Sequence, residues 1–329
     1  MKLLIEEQGG GLMELPANIV RADGTLNDEL ILKKEQLYKG MNGRFVERFY
    51  LSPTMSYIFK PLTNNGQLGQ EVWVHENVLP QFPAIFPKII SHTISEQPEL
   101  NWMILEDLGA LTHTFTEESV LGVIKWVAWW HSLSIDNLAH VPSAGLKPRL
   151  EDIVTDVLHM KNEFMQQLPG LQLDRGLIEQ VYTTLETFEF SKRLVLSHGD
   201  LHVGNFAVVG QRLMILDWEH THLNIPHWDL YHVIDMSHPL FPKRITPQFR
   251  EQILKVYMSQ VEFEIDEEQF LKEYYLFSAV FSVWMLLLIQ KDLKAENAKW
   301  PREQLERQLT ETILSLGQCA AALLICEKS

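Results

Sequence analysis

The sequence predicts an α+β chain of two lobes, a β-rich first third with one helix followed by a mainly helical remainder. Three observations carry this. A length of 329 residues suits two cores better than one. Candidate strands cluster before Gly109, and segments with helical apolar spacing dominate after it. A short β-rich island, Arg193–Trp218, then interrupts the helices. The boundary is placed at Glu106–Gly109, giving lobes 1–106 and 107–329.

In order, Ile31–Tyr38 and Phe45–Leu51 are expected strands joined across Lys39–Arg44. Gly40, Asn42 and Gly43 in that connection tolerate positive φ, which favours a hairpin turn. Ser56–Phe59 is a third strand delivering Lys60 just before Pro61. After the polar loop Thr63–Gly69, an amphipathic helix is expected over Gln70–Leu79, and prolines 80, 83 and 87 punctuate its exit. Lys88–Ile94 and Trp102–Leu105 complete five strands. Beyond Gly109, Thr116–Ser134 carries Val120, Ile124, Val127 and His131 along one helical face. His131 on that face is expected to be a core histidine with one hydrogen-bond partner. Further helices are expected over Glu151–Gln167, Leu173–Phe188, Phe270–Ile289 and Arg302–Ile325. No internal repeat or low-complexity stretch interrupts this order.

Composition narrows the function classes. Hydrophobic residues make up 46% and charged residues 22%, as in a folded enzyme. A net charge of -15 disfavours nucleic acid and anionic membrane partners. It is compatible with a cationic small-molecule substrate, although solubility alone accounts for it. Cys319 and Cys326 lie on one expected helix, where seven steps of rise separate them by about 10 Å, too far for a disulfide. Unpaired thiols point to a reducing compartment. The start, Met1–Ile5 followed by Glu6 and Glu7, is too short and acidic for a signal peptide. The longest apolar run, Leu276–Ile289, is shorter than a membrane span and reads as a core helix. The expectation is a cytoplasmic protein with no membrane partner.

The chemistry concentrates in Ser197–Asn205 and Ile215–Glu219. Phe206–Val209 and Arg212–Leu216 are apolar-rich segments joined by Gly210 and Gln211, a two-residue hairpin loop. A turn there sets Asn205 opposite Leu216, with Asp217 one step beyond and Asp200 on the entering loop. Two carboxylates and an amide then converge, a donor set suited to Mg²⁺. Phosphoryl transfer needs these parts, because its loose transition state asks the protein to position reactants and neutralise charge. Asp200 is assigned to the attacking hydroxyl, and Asn205 and Asp217 to metal.

His198-Gly199-Asp200, followed by Asn205 and then by Asp217-Trp218-Glu219, resembles the signature of the aminoglycoside phosphotransferase family, which includes choline kinases. The stretch Asp217–Asn224, continuing to Asp229 and Leu230, is similar to the choline kinase motif. The resemblance implies a bilobal protein-kinase-like fold, ATP and Mg²⁺ as cofactors, and γ-phosphoryl transfer to a small-molecule hydroxyl. It also implies that His198 braces the catalytic loop, that Asp229 is a structural carboxylate of the helical lobe, and that Glu219 reaches the metal or the substrate.

By the same resemblance Lys60 holds the α and β phosphates and needs a carboxylate partner. Glu71 and Glu76 are both candidates. Glu71 is preferred, because it leads the helix and shares a face with Val74 and Val78. Backbone N–H groups of Gly40, Asn42 and Gly43 are expected over the phosphates, although no full Gly-x-Gly-x-x-Gly is present. Glu106 and Leu108 are expected at the adenine edge, with Leu105 behind.

Two rival readings differ in class. A binding protein that kept the fold without catalysis would be free to lose Lys60, Asp200, Asn205 and Asp217, and all four are present. A zinc site built from His198, His202, His220, His222 and His227 matches no familiar ligand spacing. The acceptor is expected to be an antibiotic, a choline-like or homoserine-like amino alcohol, or another amino-bearing compound. Acidic helices near Glu151–Glu163 and Glu262–Glu268 are candidates to line its entrance.

Overall fold

The structure is a computed structural model describing residues 15–40, 43–62, 69–138, 140–145 and 147–326. It divides into two compact units, one of residues up to Gly69 with Lys88–Asp107, the other of Gln70–Pro87 with Leu108 onward.

The first unit is an antiparallel five-stranded sheet ordered β1-β2-β3-β5-β4. Its strands are β1 (Lys33–Lys39), β2 (Phe45–Ser52), β3 (Met55–Pro61), β4 (Ile89–Thr93) and β5 (Trp102–Glu106). The five expected strands are therefore all present, within a few residues at each end. The expected β1–β2 hairpin forms, with Lys39 opposite Phe45 and Gly40 N–H donating to the Arg44 carbonyl at 2.8 Å. Beneath the sheet lies a small core of Ile19, Leu26, Phe49, Phe59 and Ile104. At the end of β5, Asp107 accepts from Ser56 Oγ at 2.6 Å and from Arg48 Nη2 at 3.0 Å. That fixes the last residue of the unit to β2 and β3.

The second unit is mainly helical, with helices α1 (Gln70–Asn77), α2 (Glu117–His131), α3 (Leu150–His159), α4 (Lys161–Leu171), α5 (Arg175–Leu185), α6 (His227–Ile234), α7 (Pro247–Gln260), α8 (Glu267–Lys294) and α9 (Arg302–Cys326). Their starts are set by local chemistry. Thr116 and Ser119 form a reciprocal capping box on α2, and Asp174, Thr246 and Asp266 accept first-turn N–H groups on α5, α7 and α8. The single helix expected over Glu151–Gln167 is two. Met160 closes α3 through Asp156 and opens α4 by accepting from Phe164 N–H.

Helix α1, expected with the first lobe, buries Val74 in the large core of the second unit, as does Val78 just after it. Helices α8 and α9 are long and apolar enough to cross a membrane by length and composition. They pack against one another, and α8 is buried without a break from Glu273 to Val283, including Tyr274, Phe277 and Phe281. That is the behaviour of a core helix, as expected for Leu276–Ile289. Both cysteines are free.

Two short ladders hold the centre of the second unit. β6 (Val195–Ser197) pairs with β9 (His222–Asn224), and β7 (Phe206–Val209) pairs with β8 (Arg212–Ile215). The β6–β9 pairing had no sequence signal, because three-residue strands carry too little periodicity to read.

Candidate active site

The site begins with the β7–β8 hairpin. Gly210 takes φ +61° in the two-residue turn, and Phe206 faces Ile215. Leu216 N–H then donates to the Asn205 carbonyl at 2.8 Å, so Asn205 and Leu216 stand opposite each other as the sequence predicts. Asn205 turns its side-chain amide onto the Asp200 carbonyl at 2.7 Å, tying the metal-candidate amide to the loop of the candidate base. That bond uses the amide nitrogen and not Oδ1.

Gly199 sits between His198 and Asp200 at φ +84°, and a Cβ there would come within 2.2 Å of the His220 carbonyl oxygen. No other residue fits. His198 is buried, with Nδ1 accepting from Asp200 N–H at 3.3 Å and Nε2 donating to the Leu216 carbonyl at 2.9 Å. One neutral ring therefore ties the Asp200 loop to the segment that leads into Asp217. Burial lowers its pKa, so it remains neutral in that role.

Asp229, on α6, lies beneath the loop, completely buried. Its carboxylate accepts from Ser197 Oγ at 2.7 Å, from the N–H groups of His198 and Gly199 at 2.8 and 3.1 Å, and meets His131 Nε2 at 3.2 Å. Burial alone would raise its pKa; hydrogen bonding and charge from His131, with His198 and Ser197, outweigh that and hold it ionised. His131 also bonds Tyr257 Oη at 2.8 Å, so both ring nitrogens are engaged rather than the one expected. A helix-face pattern places a residue in a core; it does not count partners arriving from other helices.

Asp200 is enclosed by cationic and imidazole groups. Lys147 Nζ lies 3.2 Å from Oδ1, with His232 Nε2 at 3.9 Å, while His202 and His220 Nε2 lie 3.8 and 3.9 Å from Oδ2. Burial works to raise its pKa, yet these neighbours, Lys147 first, lower it well below the usual carboxylate range. Burial holds His202 and His232 near 4, so close to neutrality both are uncharged beside Asp200. Oδ1 is buried and, despite the nearby ammonium, has no well-directed hydrogen bond. It can still accept a proton. Lys147 lies in the irregular segment before α3, far from any motif, and nothing in the sequence marks it.

Asp217 adopts φ +62°, ψ 61°, a strained left-handed conformation for a non-glycine residue. Its carboxylate gathers with those of Glu71 and Glu219, one oxygen of each lying within 4.8 Å of the others. Of the two helix candidates, Glu71 is buried and Glu76 exposed. Three carboxylates this close, all hard oxygen donors, fit a divalent cation such as Mg²⁺. The expected set of Asn205 and Asp217 thus gains Glu71 and Glu219 as neighbours of Asp217. Glu219 Oε1 also lies 3.4 Å from His220 Nε2.

Of the histidines weighed as zinc ligands, His202 and His220 both lie beside Asp200, and the others have other partners. His222 bonds the His220 carbonyl and Asn224, while His227 is buried against Phe270. Among the described residues the carboxylate trio is the one group with metal-site spacing.

In the first unit Lys60 stands on β3 opposite Met103 of β5. Leu105 is buried, Glu106 N–H donates to the Lys88 carbonyl at 2.9 Å, and Leu108 opens the second unit. Gly43 N–H closes the β1–β2 turn onto the Gly40 carbonyl at 3.0 Å; Asn42 lies outside the described residues.

Comparison with known proteins bears out the resemblance. The pattern of the phosphotransferase enzyme family matches residues 126–271, which span Asp200, Asn205, Asp217 and Asp229. The expected enzyme class, a phosphotransferase, stands on that match. No curated protein sequence matches the chain. Similar solved structures include a spectinomycin phosphotransferase in complex with ADP and spectinomycin, 15% identical over 88% of this chain and 94% of that one, with a TM-score of 0.55. A choline/ethanolamine kinase family protein from Mesorhizobium loti is 14% identical over 91% and 94%, with a TM-score of 0.57. A choline kinase from Cryptosporidium parvum is 16% identical over 88% and 90%, with a TM-score of 0.52. At these identities the likeness establishes the fold, which is protein-kinase-like as expected.

Proposed function

We propose that the chain is an ATP-dependent kinase that transfers the γ-phosphoryl group to a hydroxyl of a small molecule. The observation that carries this is Asp200, an ionised and nearly enclosed carboxylate whose Oδ1 lacks a directed hydrogen bond. It sits on a loop whose geometry His198, Asn205 and Asp229 determine. Asp200 orients the acceptor hydroxyl and takes its proton as the oxygen attacks the γ-phosphorus. The bond to the β–γ bridging oxygen breaks, and ADP leaves. Asp217 and Asn205 hold Mg²⁺, with Glu71 and Glu219 adding negative charge around Asp217. The ion, when bound, neutralises charge on the β and γ oxygens.

Lys60, the Gly40–Gly43 turn and the Leu105–Leu108 strand end are the proposed nucleotide contacts in this reading. Its support is the family match, the kept catalytic set and the ADP held by the spectinomycin phosphotransferase. We place the activity in the cytoplasm, where ATP and unpaired thiols coexist. The test is Mg²⁺-dependent ADP formation in the presence of a panel of small alcohols. Asp200→Ala is expected to lower acceptor-dependent turnover by about a hundredfold or more while the thermal unfolding midpoint is retained. Undiminished phosphoryl transfer by that variant would remove the proposal.

A further inference from the structure

The second unit contains a cavity of about 750 Å³ between the segment before α3, the end of α5 with its following loop, and β9. Lys147 belongs to its wall and is also the residue whose ammonium lies 3.2 Å from Asp200. One side chain therefore connects the cavity to the candidate base. Asp200 itself is not part of the wall; Lys147 is the wall residue in contact with it.

The charges of the wall are unusual for this chain. Lys147, Arg149 and Lys192 face only Glu151 and Glu189, whereas the whole sequence has 28 basic and 43 acidic residues. The local balance is inverted, and a concave surface concentrates its effect. Among the described residues Lys147 pairs with Asp200, and no ion pair engages Arg149 or Lys192. The first turn of α3, the positive end of a ten-residue helix, also contributes Leu150 and Glu151 to the wall. Recognition of a quaternary ammonium asks for several aromatic faces around the cation. Here Phe188 and Phe190 are the aromatic carbocycles of the wall, and they pack edge to face on each other at 5.2 Å.

We infer that this cavity is the acceptor subsite and that the acceptor carries an anionic group, such as a carboxylate, in addition to the hydroxyl that is phosphorylated. Lys147 is the specificity-determining residue, binding the anion and thereby releasing Asp200 to engage the hydroxyl. The inference rests on the kinase reading for the fate of the hydroxyl and, among the acceptors expected from the sequence, favours a hydroxy acid or a zwitterion of the homoserine-like kind over a purely cationic compound.

Matched alcohols of equal length test it: 4-hydroxybutyrate, butane-1,4-diol and 4-aminobutan-1-ol, with gluconate, glucose and glucosamine as a larger set. ADP release is measured at saturating Mg-ATP with the full chain, and Mg-ATP binding is measured separately by calorimetry. The carboxylate-bearing member of at least one set is expected to have the highest kcat/KM, by about tenfold over its amine counterpart. Lys147→Ala should raise KM for that member by about tenfold, with a smaller change for the neutral member, and Lys147→Arg should restore most of the loss. Preference for the amines overturns the inference. So does an equal loss by Lys147→Ala on neutral and anionic members, which would confine Lys147 to supporting Asp200. Turnover of no carboxylate-bearing member, with Mg-ATP binding intact, likewise overturns the anionic acceptor and leaves the kinase reading standing. Absence of Mg-ATP binding strikes the kinase reading itself.

Discussion

The five-stranded unit and the Asp200 loop of the helical unit hold their candidate functional residues by opposite means. Around Asp200 the side chains themselves are the scaffold: Asp229, His198, Ser197 and Asn205 form a buried network in which each group has a partner. In the sheet the expected nucleotide contacts are backbone groups and one strand-borne lysine, and the core beneath has five buried residues among those described. The difference teaches where identity is constrained. A buried polar network tolerates no substitution, because losing one member strands the others. A backbone contact tolerates many.

Acidification gives the largest contrast. His202 and His232 are held near 4, and His227 and His238 near 3, all by burial, against 6.5 in an unfolded chain. Below about pH 6.5 the unfolded chain binds protons that the folded unit refuses, so stability falls as pH drops from there toward 4. Each group contributes up to about 1.4 kcal/mol per pH unit over its window. Urea midpoints at pH 7, 6 and 5 should decline steeply for the helical unit, tracked by its tryptophans. In the sheet unit the one described histidine, His92, is exposed. A pH-independent midpoint would contradict the buried neutral imidazoles.

Asp229→Ala should cost about 3–5 kcal/mol, because His131, Ser197 and two backbone N–H groups lose their acceptor. Calorimetry reads this directly, and a loss under about 1 kcal/mol would mean the network is dispensable. Phe59→Ala sharpens the comparison from the other side. Removing one ring from the small core should cost about 3 kcal/mol and melt the sheet unit ahead of the helical one. A single unchanged transition would show that the small core does not limit stability.

The smallest structural effect is expected for Lys60→Met. Thermal stability should remain within about 0.5 kcal/mol, while kcat/KM for ATP falls about tenfold to a hundredfold. Steady-state kinetics with ATP varied would check it, and an unaltered kcat/KM would remove Lys60 from the nucleotide site.

Much of the second unit's centre was legible in the sequence because its constraints are local. Gly210 and Gln211 define a turn, the turn defines the register, and the register sets Asn205 against Leu216. Gly199 is likewise a local requirement with a visible residue. Lys147 was not legible. Its contact with Asp200 joins positions 53 residues apart through an irregular segment, and a lysine in a loop carries no signal of its own. The trio of Glu71, Asp217 and Glu219 was only half legible, since α1 had been expected with the sheet. Helical periodicity shows that a face is apolar, not which core will cover it.

By itself the sequence determined the two-part architecture, the hairpin and the chemical types gathered around it, since turn residues, strand pairing and short spacings act over a few residues. Tertiary structure alone decided which groups Asp229 holds, that Glu71 joins Asp217, and that Lys147 bridges a cavity to Asp200. Those outcomes depend on packing between distant segments, where burial and charge are fixed by whichever neighbours the fold delivers.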